Sequence, residues 1–358
     1  MEKNVKLAEP AKAGNNLTDC VLQSVVDAIT IPESDRPDVP VQAQRVDRNY
    51  VFQPVLTREI CQSLMTGYHR LITGAPGTGK TSAVWQVCLR AGVPVVQYGC
   101  KLDSTSDELV GCMALKDGSS VWCPGAVAKA ADIAAHINGD HAVKCVLLLD
   151  EIDAAEPGVI LGLNSLLDGG FITAGGRVID CTGVLVVATA NTSGMGDETG
   201  RWGARRPLDP AILNRFLISQ ADYIAPEVEE QIIMSAGDKA LRVVYPGGEK
   251  TMARLVADSL HDIRSSYYDG SLHSDPISTR QAVKLAFLLG HSKGSEWVNI
   301  VSQFCYGRTR FASRDLLEDY RTVLNCFINN LPPKFVGTAG FQEEVKRLNS
   351  LLDSSNNG

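Results

Sequence analysis

The chain has 358 residues, 44% of them hydrophobic and 21% charged, the proportions of an ordinary globular protein long enough for about two domains. A net charge of −7 argues against a protein that coats duplex nucleic acid, which needs a basic field. The ten cysteines include no C-x-x-C pair and no zinc-like spacing, no apolar run reaches the about 18 residues of a membrane span, and no signal peptide is evident; a soluble cytoplasmic protein is expected.

Residues 1–48 are expected to form an N-terminal tail. Within it, Leu17, Val21, Leu22, Val25, Val26 and Ile29 fall at helical spacing and Pro32 closes the pattern, so this stretch is either a helix packed on the body or a docking helix for a partner. Residues 34–45, with Pro37 and Pro40, read as a linker. The ordered body starts near Tyr50, and Leu56 to Tyr68 looks helical.

An apolar run from His69 to Thr73 then leads into Gly74-Ala75-Pro76-Gly77-Thr78-Gly79-Lys80-Thr81, which fills every fixed position of G-x-x-x-x-G-K-[ST], and a helical pattern from Ser82 to Ala91 follows. Gly74, Gly77 and Gly79 allow backbone torsions and close approach that a Cβ would block. The loop amides and the helix N-terminus can surround phosphates, Lys80 adds a cation on the β/γ oxygens, and the Thr81 hydroxyl can ligate Mg²⁺. Residues Gly74 through Ser82 are therefore assigned to a bound nucleotide.

Pro94 to Cys100 reads as a buried strand, and Thr105 with Glu108 as a capping box. Cys112 to Lys116 and Ser119 to Cys123, joined by Asp117-Gly118, predict a hairpin. On it, Trp122 is either a surface-packed aromatic or a residue that grips something. Pro124 opens a helix that Gly139 ends. Val143 to Leu149 has the continuous apolar character of a parallel strand buried on both faces, and it ends in Asp150-Glu151-Ile152-Asp153. Asp150 can hold the Mg²⁺ shell and Glu151 can polarise an attacking water; Asp153 reads as a helix cap or surface acid.

Pro157 to Asp168 predicts one helix. Phe171 to Ala174 and Arg177 to Asp180, around Gly175-Gly176, predict a second hairpin. Gly183 to Ala190 is another buried strand with Asn191 at its C-terminal tip, the edge where parallel sheets bind ligands. Residues 192–207 are rich in glycine and arginine, Asp209 and Pro210 start a short helix leading to Asn214-Arg215-Phe216, and Leu217 to Ile224 is the last core strand. From Pro226 the chain reads as helical to about Asn330, one helix starting at Ser278-Thr279-Arg280. The expected division is an α/β nucleotide-binding domain over 49–224, a helical lid over 225–331 and a C-terminal tail over 332–358.

Taken together, Gly74 to Thr81, Leu148 to Asp153, the hairpin before the strand ending in Asn191, and Arg215 and Arg280 at their spacings resemble the AAA+ ATPases. The two hairpins are similar to those of the MoxR and chelatase branch. Tyr50-Val51-Phe52-Gln53-Pro54, Ala188-Thr189-Ala190-Asn191-Thr192, and Gly196-Asp197-Glu198-Thr199-Gly200 with Asp209 to Phe216 resemble the CobS-like ATPases, those like the AAA+ subunit of aerobic cobaltochelatase. The resemblance covers roughly residues 48–290.

It implies a three-layer αβα core with a parallel sheet and a small helical lid. It implies catalytic roles for Glu151, Asn191 as sensor 1, Arg215 as an arginine finger reaching a neighbouring subunit, and Arg280 as sensor 2. Arg205 and Arg206 compete with Arg215 for the finger role. A guanidinium suits each arginine role, since its rigid fork fits phosphate oxygens. ATP and Mg²⁺ are the implied cofactors. The implied assembly is a homo-oligomeric ring, a hexamer, that remodels a partner bearing a von Willebrand A (VWA) domain. The alternatives are the motor subunit of a cobalt chelatase, a nucleotide-gated scaffold, and a nucleic-acid motor, the last disfavoured by charge. No membrane association is expected.

Overall fold

The computed structural model describes residues 16–36, 44–192, 206–245, 250–274, 276–306, 314–331 and 336–354. Two compact units divide the chain, Met1–Asp222 and Tyr223–Gly358.

In the first unit, a 3-10 turn over Leu17–Asp19 precedes α1 (Gln23–Ile29), which lies against α2 (Pro54–Thr66). Much of the expected tail is thus part of the body. Leu17, Ile29 and Ile31 are buried, and the Ile31 amide donates to the Ala91 carbonyl at 2.8 Å, anchoring the segment to the end of α3 (Lys80–Ala91). α2 opens with proline at its first position and closes at Gly67 in the left-handed region, the two residue types those ends favour.

β1 (Arg70–Thr73) leads into α3, and β2 (Val95–Gly99) follows it. The short α4 (Ser106–Leu109) is capped by Thr105, which accepts from the Glu108 amide. A hairpin of β3 (Gly111–Lys116) and β4 (Ser119–Pro124) comes next, then α5 (Ala126–Ala135) and β5 (Cys145–Asp150). The single helix expected over 157–168 is two, α6 (Pro157–Leu161) and α7 (Asn164–Gly169). The chain tightens between them at Gly162, with the Leu163 amide on the Ile160 carbonyl, and buries Leu163. The second hairpin, β6 (Phe171–Ala174) and β7 (Arg177–Asp180), precedes β8 (Val184–Ala190). After α8 (Pro210–Leu213), the last strand β9 spans Leu217–Gln220, not the expected 217–224: the Ala221 amide still bonds to the Thr73 carbonyl before the chain leaves the sheet.

Among the described residues, β2-β5-β8-β1-β9 form one parallel sheet in that order. Side chains alternate between two covered faces, which explains why β5 and β8 are apolar until Asp150 and Thr189 near their C-terminal ends. Leu147, Leu149 and Val186 join a core with α5 on one face, while Val146, Leu148 and Val187 join α2 and α3 on the other. Helices cover both faces, so the polar ends of the strands are left at the sheet edge where the site lies.

The second unit is helical, with one small hairpin that the sequence reading did not include. Its elements are α9 (Pro226–Ser235), β10 (Val244–Tyr245), β11 (Lys250–Thr251), α10 (Met252–Tyr268), α11 (Thr279–Gly290), α12 (Trp297–Tyr306), α13 (Arg314–Asn330) and α14 (Val336–Ser354). The expected tail from 332 is mostly α14, whose Phe341 and Leu348 are fully buried; the Phe341 ring stacks on Phe327 at 6.0 Å between centroids. Arg264 and Glu229 form a buried bidentate pair (2.7 and 2.9 Å), with Arg264 also over the Tyr223 ring. No helix among the described residues is long and apolar enough to cross a membrane.

Candidate nucleotide site

The loop after β1 takes the conformation that its glycines permit. Gly74 has φ of 142°, and a Cβ there would stand 2.1 Å from the Ala221 carbonyl oxygen. The loop is therefore pinned against the start of the segment after β9. Within it, the Thr78 hydroxyl donates to the Ala75 carbonyl (2.9 Å), and Gln53 Nε2 donates to the Thr78 carbonyl (2.8 Å), bracing the loop from the residue before α2.

Lys80, the first residue of α3, folds back over this loop. Its Nζ donates to the carbonyls of Gly74 (2.7 Å) and Ala75 (3.0 Å) and to Asn191 Oδ1 (3.0 Å). Asn191 Nδ2 donates in turn to Glu151 Oε1 (3.3 Å). One amide thus links the loop lysine to the acid after β5. Next to Lys80, the Thr81 hydroxyl donates to Asp150 Oδ1 at 2.7 Å. The hard-oxygen pair of Thr81 and Asp150 suits Mg²⁺, an ion that keeps several waters and takes few protein ligands. No group of three or more His, Cys, Asp or Glu side chains poised for a metal occurs among the described residues.

Three further side chains hold this group, and sequence reasoning missed all three roles. The Thr189 hydroxyl, inside β8, donates to Asp150 Oδ1 (2.6 Å) and accepts from the Glu151 amide (3.0 Å). Glu151 sits in the left-handed region with φ of 59°, a strained backbone for a non-glycine residue, and Thr189 helps fix it there. Gln97 of β2 donates to Asp150 Oδ2 (3.0 Å) while accepting from the Trp85 indole (2.8 Å). Asp153, expected as a cap or surface acid, is fully buried. Its Oδ2 accepts from the amides of Asn191 (3.1 Å) and Thr192 (3.1 Å) and from the Thr192 hydroxyl (3.0 Å), orienting Asn191. A carboxylate three residues past Asp150 that reads as polar surface is in fact the anchor of the neighbouring strand's tip.

The structure brings together Lys80, Thr81, Asp150, Glu151 and Asn191. Ser82 is exposed one residue along α3. Arg215 makes none of these contacts. It follows α8, and Nε and Nη2 grip Asp168 Oδ1 (2.7 Å) and Oδ2 (2.6 Å), with Nη1 on the Ala211 carbonyl. That pairing holds the Asp168 carboxyl below the ordinary carboxylate range and raises Arg215. Arg206 pairs with Glu156 at 2.5 Å, Arg205 lies outside the described residues, and Arg280 is exposed near the start of α11 in the second unit.

A phosphate-type loop, an acid pair at the end of the adjacent strand and an asparagine at the next form one connected edge. Residues 69–216 match the family model described as AAA domain (dynein-related subfamily). The chain carries an AAA domain. The match runs from the residue before β1 to the residue before β9, so this AAA domain contains every residue of the edge just described. Over 256 residues, 67% of this chain and 71% of the relative, the chain is 25% identical to "Aerobic cobaltochelatase subunit CobS" of Sinorhizobium sp. "Protein NorQ" of Paracoccus denitrificans (strain Pd 1222) is 27% identical over 167 residues, 46% of this chain and 56% of NorQ. A solved structure of NtrX from Brucella abortus in complex with ADP is 16% identical, covers 82% of this chain and 68% of that one, and has a TM-score of 0.45, a loose likeness. The AAA domain has the α/β P-loop fold, and over the stretches given the chain is similar to CobS and NorQ.

Proposed function

We propose that this AAA+ ATPase binds ATP with Mg²⁺, hydrolyses it to ADP and phosphate, and acts as a homo-oligomeric ring, a hexamer, that remodels a VWA-domain partner in the cytoplasm. The nucleotide chemistry rests on one observation: Lys80, Asn191 and Glu151 form an unbroken hydrogen-bonded chain beside the Thr81–Asp150 pair. The ring rests on Arg215, whose role as a finger needs a neighbour's nucleotide. The partner rests on likeness to the MoxR and chelatase branch, and the compartment on the cysteine pattern of the sequence.

In this reading, Lys80 gives up the Gly74 and Ala75 carbonyls for β/γ-phosphate oxygens, and the loop amides complete the cradle. Thr81 and Asp150 hold Mg²⁺, which when bound neutralises charge on the phosphates. Glu151 orients and deprotonates the attacking water, with Asn191 fixing its carboxylate and then the γ-phosphate. Arg280 closes on the same nucleotide and Arg215 on the neighbour's. Catalysis is positioning plus electrostatics, with no covalent intermediate.

The test separates ground-state from transition-state roles. Lys80→Ala is expected to abolish binding of a fluorescent ATP analogue, while Glu151→Gln keeps binding and loses most phosphate release. A Glu151→Gln protein that turns over like wild type would sink the assignment of Glu151.

A further inference from the structure

The first hairpin carries a feature unrelated to nucleotide chemistry. Cys112 and Cys123 stand directly opposite each other across the β3–β4 ladder. The two-residue Asp117-Gly118 turn makes Lys116–Ser119 the closing hydrogen-bonded pair, and pair types alternate outward from it. Cys112–Cys123 is then a hydrogen-bonded pair, with Cα atoms about 5.5 Å apart, inside the span of roughly 4.4–6.8 Å that a disulfide bridges. Consistent with that register, Pro124 occupies the next, non-hydrogen-bonded position, where its missing N–H costs nothing.

Both thiols share one face of the hairpin, while Met113 and Trp122 occupy the other and pack on the second hairpin. The thiol face borders an open cavity of about 630 Å³ lined also by Tyr98, Lys101, Asp107, Glu108 and Lys129. Among the nine described cysteines, seven are buried; Cys123 is exposed and Cys112 partly so. The side chain of the tenth, Cys305, lies outside the described residues. Access and pairing therefore coincide at these two positions.

The geometry points to Cys112 and Cys123 as a reversible redox site, which closes a cross-strand disulfide by exchange with a low-molecular-weight disulfide such as glutathione disulfide. The more exposed Cys123 thiolate attacks one sulfur of the reagent, forming a mixed disulfide and expelling one glutathione thiolate. Cys112, as thiolate, then attacks Cys123 Sγ and expels the second. Two protein thiols are oxidised and one reagent disulfide is reduced to two thiols, the two protons passing through solvent from the protein thiols to the expelled glutathione thiolates. Opposed Cβ atoms in a ladder stand about 4.5–5.5 Å apart, against roughly 3.5–4.5 Å in a disulfide, so closure pinches the strands. The bond is correspondingly easy to reduce. Burial, with the nearby Asp107 carboxylate, pushes the Cys112 thiol up, so the resolving step quickens as pH rises.

Trypsin provides a clean readout, because Lys101, Lys116 and Lys129 place the two cysteines on separate peptides, 102–116 and 117–129. Folded full-length protein is incubated with glutathione disulfide, blocked with an alkylating agent and digested without reductant, Cys88 and Cys145 serving as markers that the core stayed closed. The wild type is expected to yield the two peptides as one linked species that separates on adding dithiothreitol. Cys112→Ser is expected to retain glutathione on Cys123, because the resolving thiol is gone. Separate, unlinked peptides from oxidised wild type, whether bare or each carrying glutathione, would overturn the proposal.

Discussion

Two sets of polar groups in the first unit are paired differently. At the sheet edge, Lys80, Thr81, Asp150, Glu151 and Asn191 bond to one another, braced by Thr189, Gln97 and Asp153. Arg215 and Arg206 of the same unit bond elsewhere, to Asp168 and Glu156. Groups that meet one nucleotide within one chain can be organised in advance by each other. On the proposed reading Arg215 serves a neighbour's phosphate, and it would have to exchange Asp168 for it. The bidentate grip on Asp168 satisfies the guanidinium fork until a competing anion arrives.

The comparison breaks most sharply at Arg215. Arg215→Ala is expected to bind ATP like wild type and to hydrolyse it roughly 10³–10⁵ times more slowly, the scale of a lost arginine finger. Arg206→Ala is expected to lose less. Mixing Arg215→Ala with Lys80→Ala subunits should restore part of the activity, since a site with intact Lys80 then meets an intact Arg215. Mixtures that co-assemble by light scattering yet stay inactive at every ratio would count against a finger acting between subunits.

A smaller effect is expected on the organised side. Asp153→Ala leaves two backbone amides and a hydroxyl without their shared acceptor in a buried place, which costs about 1–3 kcal/mol. Urea unfolding of the first unit reads this directly, and turnover should fall too because Asn191 loses its anchor. Asp153→Asn, which keeps an acceptor oxygen, should lose less of both. An unchanged midpoint in Asp153→Ala would remove Asp153 from the framework.

The smallest effect is a titration. Hydrogen bonding to Arg215 holds Asp168 below the ordinary carboxylate value of about 3.9. A depressed carboxyl contributes stability that is present above the unfolded pKa and lost as pH falls through the lower folded one. The Asp168 resonance, followed by NMR, should therefore titrate at a higher pH in Arg215→Ala than in wild type. Equal titration points would mean that the pair does not persist in solution.

How much of this was legible in the sequence depends on what each residue's neighbours are. The sheet strands and the two hairpins were readable, because β5 and β8 are apolar on both faces and Asp117-Gly118 and Gly175-Gly176 dictate tight turns. That Lys80, Thr81, Asp150, Glu151 and Asn191 come together was readable because the first two close a local loop motif at the start of α3 and the others follow apolar strand runs. Asp153, Thr189 and Gln97 were not. Each acts through a partner distant in sequence, and a lone acid, hydroxyl or amide carries no local sign of it. α14 was also missed, although Phe341, Val345, Leu348 and Leu352 stand at helical spacing within the stretch read as a tail.

Trp122 joins the two hairpins. Its ring is held between Gly111 of its own hairpin and Gly175 of the other, where an added Cβ would stand 2.9 Å from Trp122, and the Arg177 guanidinium lies 5.5 Å from its centroid. An indole beside a cation and a neighbouring turn is a built-in fluorophore whose emission depends on that contact. With Trp85, Trp202 and Trp297 replaced, the colour and intensity of this one residue become an optical gauge of whether the two hairpins travel together or part during turnover.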